Sequence, residues 1–400
     1  MNGQSLLCSG PDALTADWMQ KALTAGNVLG TEHVEAVSVK RLGLATNAFG
    51  NLFRCRLTIK GGSPNIPETA IVKLPSTNRT AIRAAKWLSL HQREYDFYRI
   101  LARHAQIRSP TLYYGEFDAR THQSLLLIED LQGMESISQT KGVGSRQALL
   151  AVREIAKLHG QFWDAVDQPP VKGLFDTFAP GYTRKLQTAY LACLPIVFDR
   201  FDAHFSPFSV RFAETLGTRY VSHFGNLAAG PKTFVHGDFR SENCFFGNEG
   251  DDFAAIDWQG SGIGSGLYDV AYFLATSVTI ENRRRIECSA LKEYHAIVCR
   301  LGAKDFSFED CWHGYRQNML TAFMSCILGC GGAKLDDQRR VELATELIRR
   351  ILAALEDLDA YEFLPGRDRF GSSSHGFSVL SRSGYRIYRF ARRLGGKASA

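Results

Sequence analysis

The sequence has no apolar run long enough to cross a bilayer. The longest, near residues 320–330, falls far short of the roughly 20 residues a spanning helix needs. Its first eleven residues lack the basic-then-apolar pattern of an export signal. The nine cysteines include no CxxC pair and no accompanying histidines at zinc-site spacing, and an odd, scattered set reads as free thiols in a reducing compartment. A cytoplasmic chain is the expectation. Internal repeats are absent, and low complexity is confined to residues 371–374. An excess of one charge is also missing from most of the chain. The 47 basic and 41 acidic residues leave +6, and residues 361–400 carry that whole excess. There Arg367, Arg369, Arg382, Arg386, Arg389, Arg392, Arg393 and Lys397 face only Glu362 and Asp368. A neutral body argues against nucleic acid as the main ligand, because phosphate-backbone binding needs a basic surface. Four hundred residues, 45% of them hydrophobic and 22% charged, exclude disorder, collagen-like repeats and a small disulfide scaffold.

What is present divides into two characters. Residues 12–25 repeat apolar side chains at helical spacing up to Gly26. Alternating or β-branched runs at 34–42, 52–59, 69–74, 111–117 and 124–129, separated by turn signals, predict a five-stranded antiparallel sheet. The uninterrupted stretch 81–105 predicts one long helix after the third strand. Beyond Asp130 the pattern is helical, at 146–165, 182–200, 208–224, 268–277, 284–301, 308–328 and 336–358, and only 233–257 interrupts it with short strands. The plan is an α+β, two-lobed molecule: a sheet lobe over 1–130, a larger helical lobe over 131–360, and a basic tail over 361–400. Within the tail, Ile387, Phe390, Ala391 and Leu394 make an apolar stripe among arginines, so a helix there is expected either to dock on the body or to associate weakly with an anionic membrane.

The strongest chemical signal is FVHGDFRSENCFF, an apolar strand, a polar turn and another apolar strand. Asp238 and Asn243 stand five apart, and Asp257 follows fourteen later in AAIDWQG. Phosphoryl transfer needs a carboxylate to orient the acceptor hydroxyl and take its proton, while an amide oxygen and a second carboxylate hold Mg²⁺ on the nucleotide phosphates. The competing reading makes Asp238 and Asn243 ordinary turn residues and Asp257 a strand-end cap. His236 is read as structural, bonded to the backbone around Asp257, and Asp269 as a residue that caps a helix and orients the loop.

With HGDFRSEN and IDWQG in view, the chain resembles the aminoglycoside phosphotransferase and choline kinase-like superfamily. Through DWQ, YDVAYFL, LLIEDL, REYDFY and AKLHGQFW its finer resemblance is to the ecdysteroid kinase-like branch and its bacterial relatives, over roughly residues 12–330. The resemblance implies a protein-kinase-like fold, ATP and Mg²⁺ as cofactors, Asp238 as the catalytic aspartate and Asn243 and Asp257 as metal ligands. It also implies that Arg240 is a cation reaching the γ-phosphate. Such a fold requires a strand lysine and a helix glutamate, matched by Lys73 in AIVKL and by Glu94. Their alternatives are a solvated strand lysine and a surface partner for Arg93 or Arg99. The phosphate-covering turn falls in 43–50 with Thr46 and Asn47, without the GxGxxG pattern, and a plain hairpin competes with it. The backbone of Glu129 and Leu131 is assigned to adenine. No DFG and no later APE segment is present, which argues against a protein substrate.

For the acceptor, residues 131–235 hold eight acids against eleven bases, whereas a pocket for polycations would carry an acidic excess. Phe198, Phe201, Phe205, Phe208, Phe212 and Phe224 either build core or wall an apolar pocket for a steroid-, terpenoid- or lipid-like alcohol. A small-molecule kinase is the leading expectation. An aminoglycoside or choline phosphotransferase, or a pseudokinase that only binds nucleotide, is the alternative.

Overall fold

A computed structural model describes residues 5–8, 10–43, 49–61, 66–247 and 251–365. Thr46, Asn47 and the basic segment from 366 onward lie outside the described residues. The first lobe opens with α1 (Ala16–Ala25), capped by the Thr15 side chain, and continues through β1 (His33–Leu42), β2 (Gly50–Lys60) and β3 (Thr69–Pro75). Then come α2 (Arg79–Trp87), α3 (Leu90–Asp96) with a π-helical turn at Phe97–Leu101, β4 (Leu112–Phe117) and β5 (Ser124–Glu129). The strands form the expected antiparallel sheet, in the order β1-β2-β3-β5-β4.

The central strand explains how the site is served. In β3, six of seven residues are buried, as expected of a strand covered on both faces. Ala70, Val72 and Leu74 point to one face and join Trp18, Met19, Ala22 and Leu23 of α1 in a small core. Alternation sends Ile71 and Lys73 to the other face, where Ile71 joins the large core with Phe97 and Leu101. Lys73 is thereby aimed at α3 and the second lobe.

The single helix read over 81–105 is not formed. Ser89 takes a left-handed conformation (φ 57°) and separates α2 from α3. Ala85 is the buried residue of α2, whose Ile82 and Trp87 are exposed, whereas α3 buries Leu90, His91, Arg93 and Glu94. The break lets α3 turn a polar, buried face toward the other lobe, a tertiary demand that overrides an intact helical periodicity.

The second lobe begins with β6 (Met134–Ser136), α4 (Ser145–Gln161), α5 (Pro180–Arg200), α6 (Pro207–Thr218) and α7 (Tyr220–Ala228). It continues with β7 (Thr233–Val235), β8 (Cys244–Gly247), β9 (Phe253–Ala255), β10 (Gly262–Gly264), α8 (Gly266–Ser277), α9 (Ile280–Leu301), α10 (Phe308–Gly332) and α11 (Gln338–Asp357). The helix read over 208–224 is two helices, divided at Arg219, whose φ and ψ of −106° and 11° leave the helical range. The strands β6 and β10 lie outside the interval 233–257. Each is three residues long, and each exists only through its partner, β8 and β7 respectively. Helices α8 and α10 pack against each other through the core, with α4 on α9 and α5 on α10. Among the described residues no helix is long and apolar enough to cross a membrane.

Candidate active site

The site is assembled on the turn that follows β7. Gly237 occupies φ 79°, and a Cβ there would lie 1.9 Å from the Gly260 carbonyl oxygen, so the position has room only for hydrogen. Asp269, fully buried near the start of α8, holds the turn. Its Oδ2 accepts from the His236 N–H at 2.7 Å and its Oδ1 from the Gly237 N–H at 2.9 Å. His159 Nε2 lies 3.2 Å from the same Oδ2, and Tyr268 donates its hydroxyl to the Gly237 carbonyl at 3.2 Å. Asp269 therefore orients the loop, as its place in the sequence predicts, but it does not cap α8, whose N-cap is Ser265 and which has no side-chain cap.

His236 does structural work as well. Its Nδ1 accepts from the Asp238 N–H at 3.2 Å, which places the ring proton on Nε2, where it is donated to the Ile256 carbonyl at 2.9 Å. One neutral ring ties the turn bearing Asp238 to the segment bearing Asp257.

Asn243, in the 3-10 turn Ser241–Asn243, donates its Nδ2 to the Asp238 carbonyl at 2.9 Å and to Asp238 Oδ2 at 3.0 Å. Arg240 Nε also donates to Oδ2, at 3.2 Å, while its Nη1 reaches Glu242 at 2.6 Å and Gln139 at 3.2 Å. Burial alone would weaken the Arg240 charge, but Asp238 and Glu242 outweigh it and push its pKa further up. Among the described residues, both partners of the Asp238 side chain hold Oδ2, which leaves Oδ1 as the open oxygen.

Asp257 follows β9 at φ 64°, a left-handed position that Asp tolerates better than most residues. Lys73 Nζ lies 2.7 Å from Asp257 Oδ1 and 2.7 Å from Glu94 Oε1. Burial opposes ionisation of Asp257, yet the Lys73 ammonium and its hydrogen bond prevail and hold the carboxyl below its ordinary pKa. Glu94 is neither exposed nor paired with Arg93 or Arg99. It is buried against Lys73, and burial together with the Asp257 charge raises its pKa.

The donor set fits a hard divalent cation. Because Asn243 turns its amino group to Asp238, its amide oxygen faces away from that contact, and Asp257 keeps a second carboxylate oxygen beyond the one on Lys73. Oxygen donors of this kind suit Mg²⁺, which binds proteins through one or two such ligands plus phosphates and water.

At the edge of the sheet lobe the Glu129 N–H donates to the Thr111 carbonyl at 2.9 Å, and its carboxylate accepts from Arg108 and Thr111. The Glu129 N–H is therefore engaged in the sheet edge.

Asp238 and Asp257 border a cavity of about 340 Å³ between the lobes. Its apolar wall comes from Phe178, Tyr182, Tyr220, Phe224, Leu227 and Leu328. Of the six phenylalanines singled out in the sequence only Phe224 lines it. Phe198, Phe201 and Phe212 are buried in the core, Phe205 stacks edge-on against Phe198, and Phe208 is exposed beside Tyr361.

Sequence reasoning also missed Arg93. It is buried, donates Nε to the Ser261 carbonyl at 2.7 Å, Nη1 to the Tyr182 hydroxyl at 3.0 Å and Nη2 to the Gly260 carbonyl, and lies over the Phe175 ring. Its signal was adjacency to Glu94 on a helix with a buried polar face.

With this geometry in place, the profile of the ecdysteroid kinase-like family matches residues 45–301, more than half of the chain. The chain belongs to the ecdysteroid kinase-like family. Membership places it among kinase-like small-molecule phosphotransferases, and solved structures carry the same fold. Choline kinase from Cryptosporidium parvum is 12% identical, with a TM-score of 0.52 over 83% of this chain and 93% of that one. A Ralstonia eutropha protein provisionally named an aminoglycoside phosphotransferase is 17% identical, with a TM-score of 0.51 over 83% of this chain and 94% of that one. A search of curated protein sequences finds no significant match. At these identities the likeness concerns the kinase-like fold.

Proposed function

We propose that the chain transfers the γ-phosphate of ATP to a hydroxyl of a small, largely apolar alcohol bound in the cavity beside Asp238. The observation that carries this reading is the charge and texture of that cavity. Its acids are Asp238 and Asp257, each already paired with a cation, and aromatic and aliphatic side chains are the largest group in the rest of the lining, beside Arg93, Arg240 and a few neutral polar groups. A polycationic aminoglycoside would find no uncompensated carboxylate there, whereas an apolar body would bury against Phe178, Tyr220 and Phe224.

In this mechanism Asp238 Oδ1 orients the acceptor hydroxyl and takes its proton as the new O–P bond forms and the bond to the β-phosphate oxygen breaks, releasing ADP. Arg240 and Asn243 fix the carboxylate by holding Oδ2. The Nη2 of Arg240, which makes no hydrogen bond among the described residues, is assigned to the γ-phosphate. Lys73, held by Glu94, serves the α- and β-phosphates, with the backbone of Glu129 and Leu131 along the adenine. Asn243 and Asp257 would hold Mg²⁺, which supplies charge compensation on the phosphates. The ionised state of Asp257, favoured by Lys73, suits that task.

The test is ATP consumption with Mg²⁺ across sterols, terpenoid alcohols, hydroxyacyl thioesters, choline, sugars and aminoglycosides. Turnover is expected with apolar alcohols and is expected to vanish in Asp238→Ala. Preference for kanamycin-like polycations would refute the acceptor class, and undiminished turnover in Asp238→Ala would refute the mechanism.

A further inference from the structure

The cavity has a second polar end that phosphate transfer does not use. Asn318 and Thr321 line it from one face of α10, three residues apart and therefore neighbours on the helix surface. Asn318 is 1% exposed. Its Nδ2 donates to the Gly314 carbonyl at 2.9 Å and to Ser265 Oγ at 3.0 Å. The carbonyl partner settles the orientation of the amide, because an oxygen in the place of Nδ2 would face another oxygen. The remaining atom, Oδ1, is buried and has no hydrogen-bond partner among the described residues. Buried acceptors are rarely left in that state unless a water, an ion or a ligand completes them.

Thr321 supplies the complementary group. Its Oγ1 lies 2.9 Å from Nε2 of His223, a fully buried ring whose Nδ1 has no partner among the described residues. Burial lowers the imidazole pKa to about 3, so the ring is neutral and carries one proton. An orphaned buried N–H is less tolerable than an orphaned lone pair, so the proton belongs on Nε2, donated to Thr321. The threonine hydroxyl proton is then free for the cavity. One acceptor and one donor, three residues apart on a buried helix face, match a hydroxyl, which donates and accepts at once.

The spacing places this pair away from the reacting end. Ser325, on the same helix, hydrogen-bonds Tyr268 at 2.9 Å, and Tyr268 donates to Gly237 beside Asp238. Asn318 lies seven residues before Ser325, which is roughly 10 Å along the helix axis.

We propose that Asn318 and Thr321 form a distal polar subsite that binds a second hydroxyl of the acceptor, selecting apolar alcohols hydroxylated at both ends of a body about 10 Å long. The inference rests on the reading of this cavity as the acceptor site. Its test is therefore binding without phosphate transfer.

Calorimetric affinities would be measured in the full-length protein for two matched pairs. One is androstanediol, a rigid steroid with a hydroxyl at each end, against androstanol, which has one. The other is decanediol with terminal hydroxyls against decanol. At least one diol is expected to bind about tenfold or more tightly than its partner, and that ratio is expected to collapse toward one in Asn318→Leu and to fall in Thr321→Val. Melting curves and ATP affinity identify a variant that has failed to fold, and Thr321→Val, which keeps the side-chain shape, then decides the question. Equal affinity within each pair, a ratio unmoved by Asn318→Leu and Thr321→Val, or binding of none of the four compounds would overturn the subsite. Failure of the kinase reading looks different: the diol would bind with the predicted ratio, but no phosphate would reach it from ATP.

Discussion

Asp269→Asn tests how the catalytic turn is held. The native carboxylate accepts from two consecutive backbone N–H groups, His236 at 2.7 Å and Gly237 at 2.9 Å, and contacts His159 through Oδ2. Asparagine has the same shape but one acceptor oxygen. Whichever way the amide turns, its amino group faces an N–H that then has no acceptor. An orphaned buried donor costs about 1–3 kcal/mol, and the surviving hydrogen bond loses its charge assistance, so a total of about 2–4 kcal/mol is expected. In a chain of this size that appears as a drop of several degrees in melting temperature. The larger effect falls on chemistry. Gly237 immediately precedes Asp238, and a shift of about 1 Å in a reacting group is enough to cost on the order of a hundredfold in rate. Turnover of the best alcohol from the screen should fall at least that far, while the KM for ATP changes little because Lys73 and Glu94 are untouched. The reasoning is refuted if the variant melts within a degree of the wild type and keeps turnover within threefold.

Other outcomes follow from the same geometry. Asp257→Asn keeps side-chain volume but removes the charge facing Lys73 and the metal, and turnover should fall roughly a thousandfold with an intact circular-dichroism spectrum; near wild-type rates would remove Asp257 from the mechanism. Gly237→Ala drives a Cβ to 1.9 Å from the Gly260 oxygen at φ 79°, and its urea midpoint should report a loss exceeding about 2 kcal/mol. Acid should also weaken the fold through two histidines kept neutral, chiefly by burial: His223, with its pKa lowered to about 3, and His91, lowered to about 4. Both bind protons more readily when unfolded, near an ordinary pKa of about 6.5, so stability is full above that value and declines as pH falls from it toward the folded values. At pH 5 each contributes a loss of roughly 2 kcal/mol. Melting curves at pH 7 and pH 5 should show this, with a smaller difference in His223→Gln; an unchanged difference would contradict it.

How legible the molecule was depended on the range of the interactions involved. The five strands were readable because alternation and turn residues are local, and the same alternation put Lys73 on the face opposite Ala70 and Val72. That Asp238 and Asn243 meet was readable because one strand, one turn and one strand carry both. The break at Ser89 was not, since serine is acceptable within a helix and the demand for a new direction comes from carbonyls more than 160 residues away, at Gly260 and Ser261. The wall of the cavity was hidden for the same reason. Phe178, Tyr182, Tyr220 and Phe224 converge only after α5 and α7 have packed against α10, while the conspicuous run of phenylalanines around Pro195 and Pro207 mostly fills core.

The adjacency of Arg93 and Glu94 gives the two halves of the site a common support. Successive residues on a helix point about 100° apart, so α3 can address two partners at once. Glu94 meets Lys73 of the sheet lobe, while Arg93 reaches the Gly260 and Ser261 carbonyls and the Tyr182 hydroxyl on the wall of the cavity. Gly260 is also the residue whose carbonyl abuts Gly237, next to Asp238. A displacement of α3 would therefore move the lysine partner and the cavity wall together and press on the turn that carries Asp238. This explains in physical terms why α3 is a separate short helix. Joined rigidly to the exposed α2, its direction would be set by the surface of the sheet lobe; freed by the left-handed Ser89, it is set by buried contacts across the cleft.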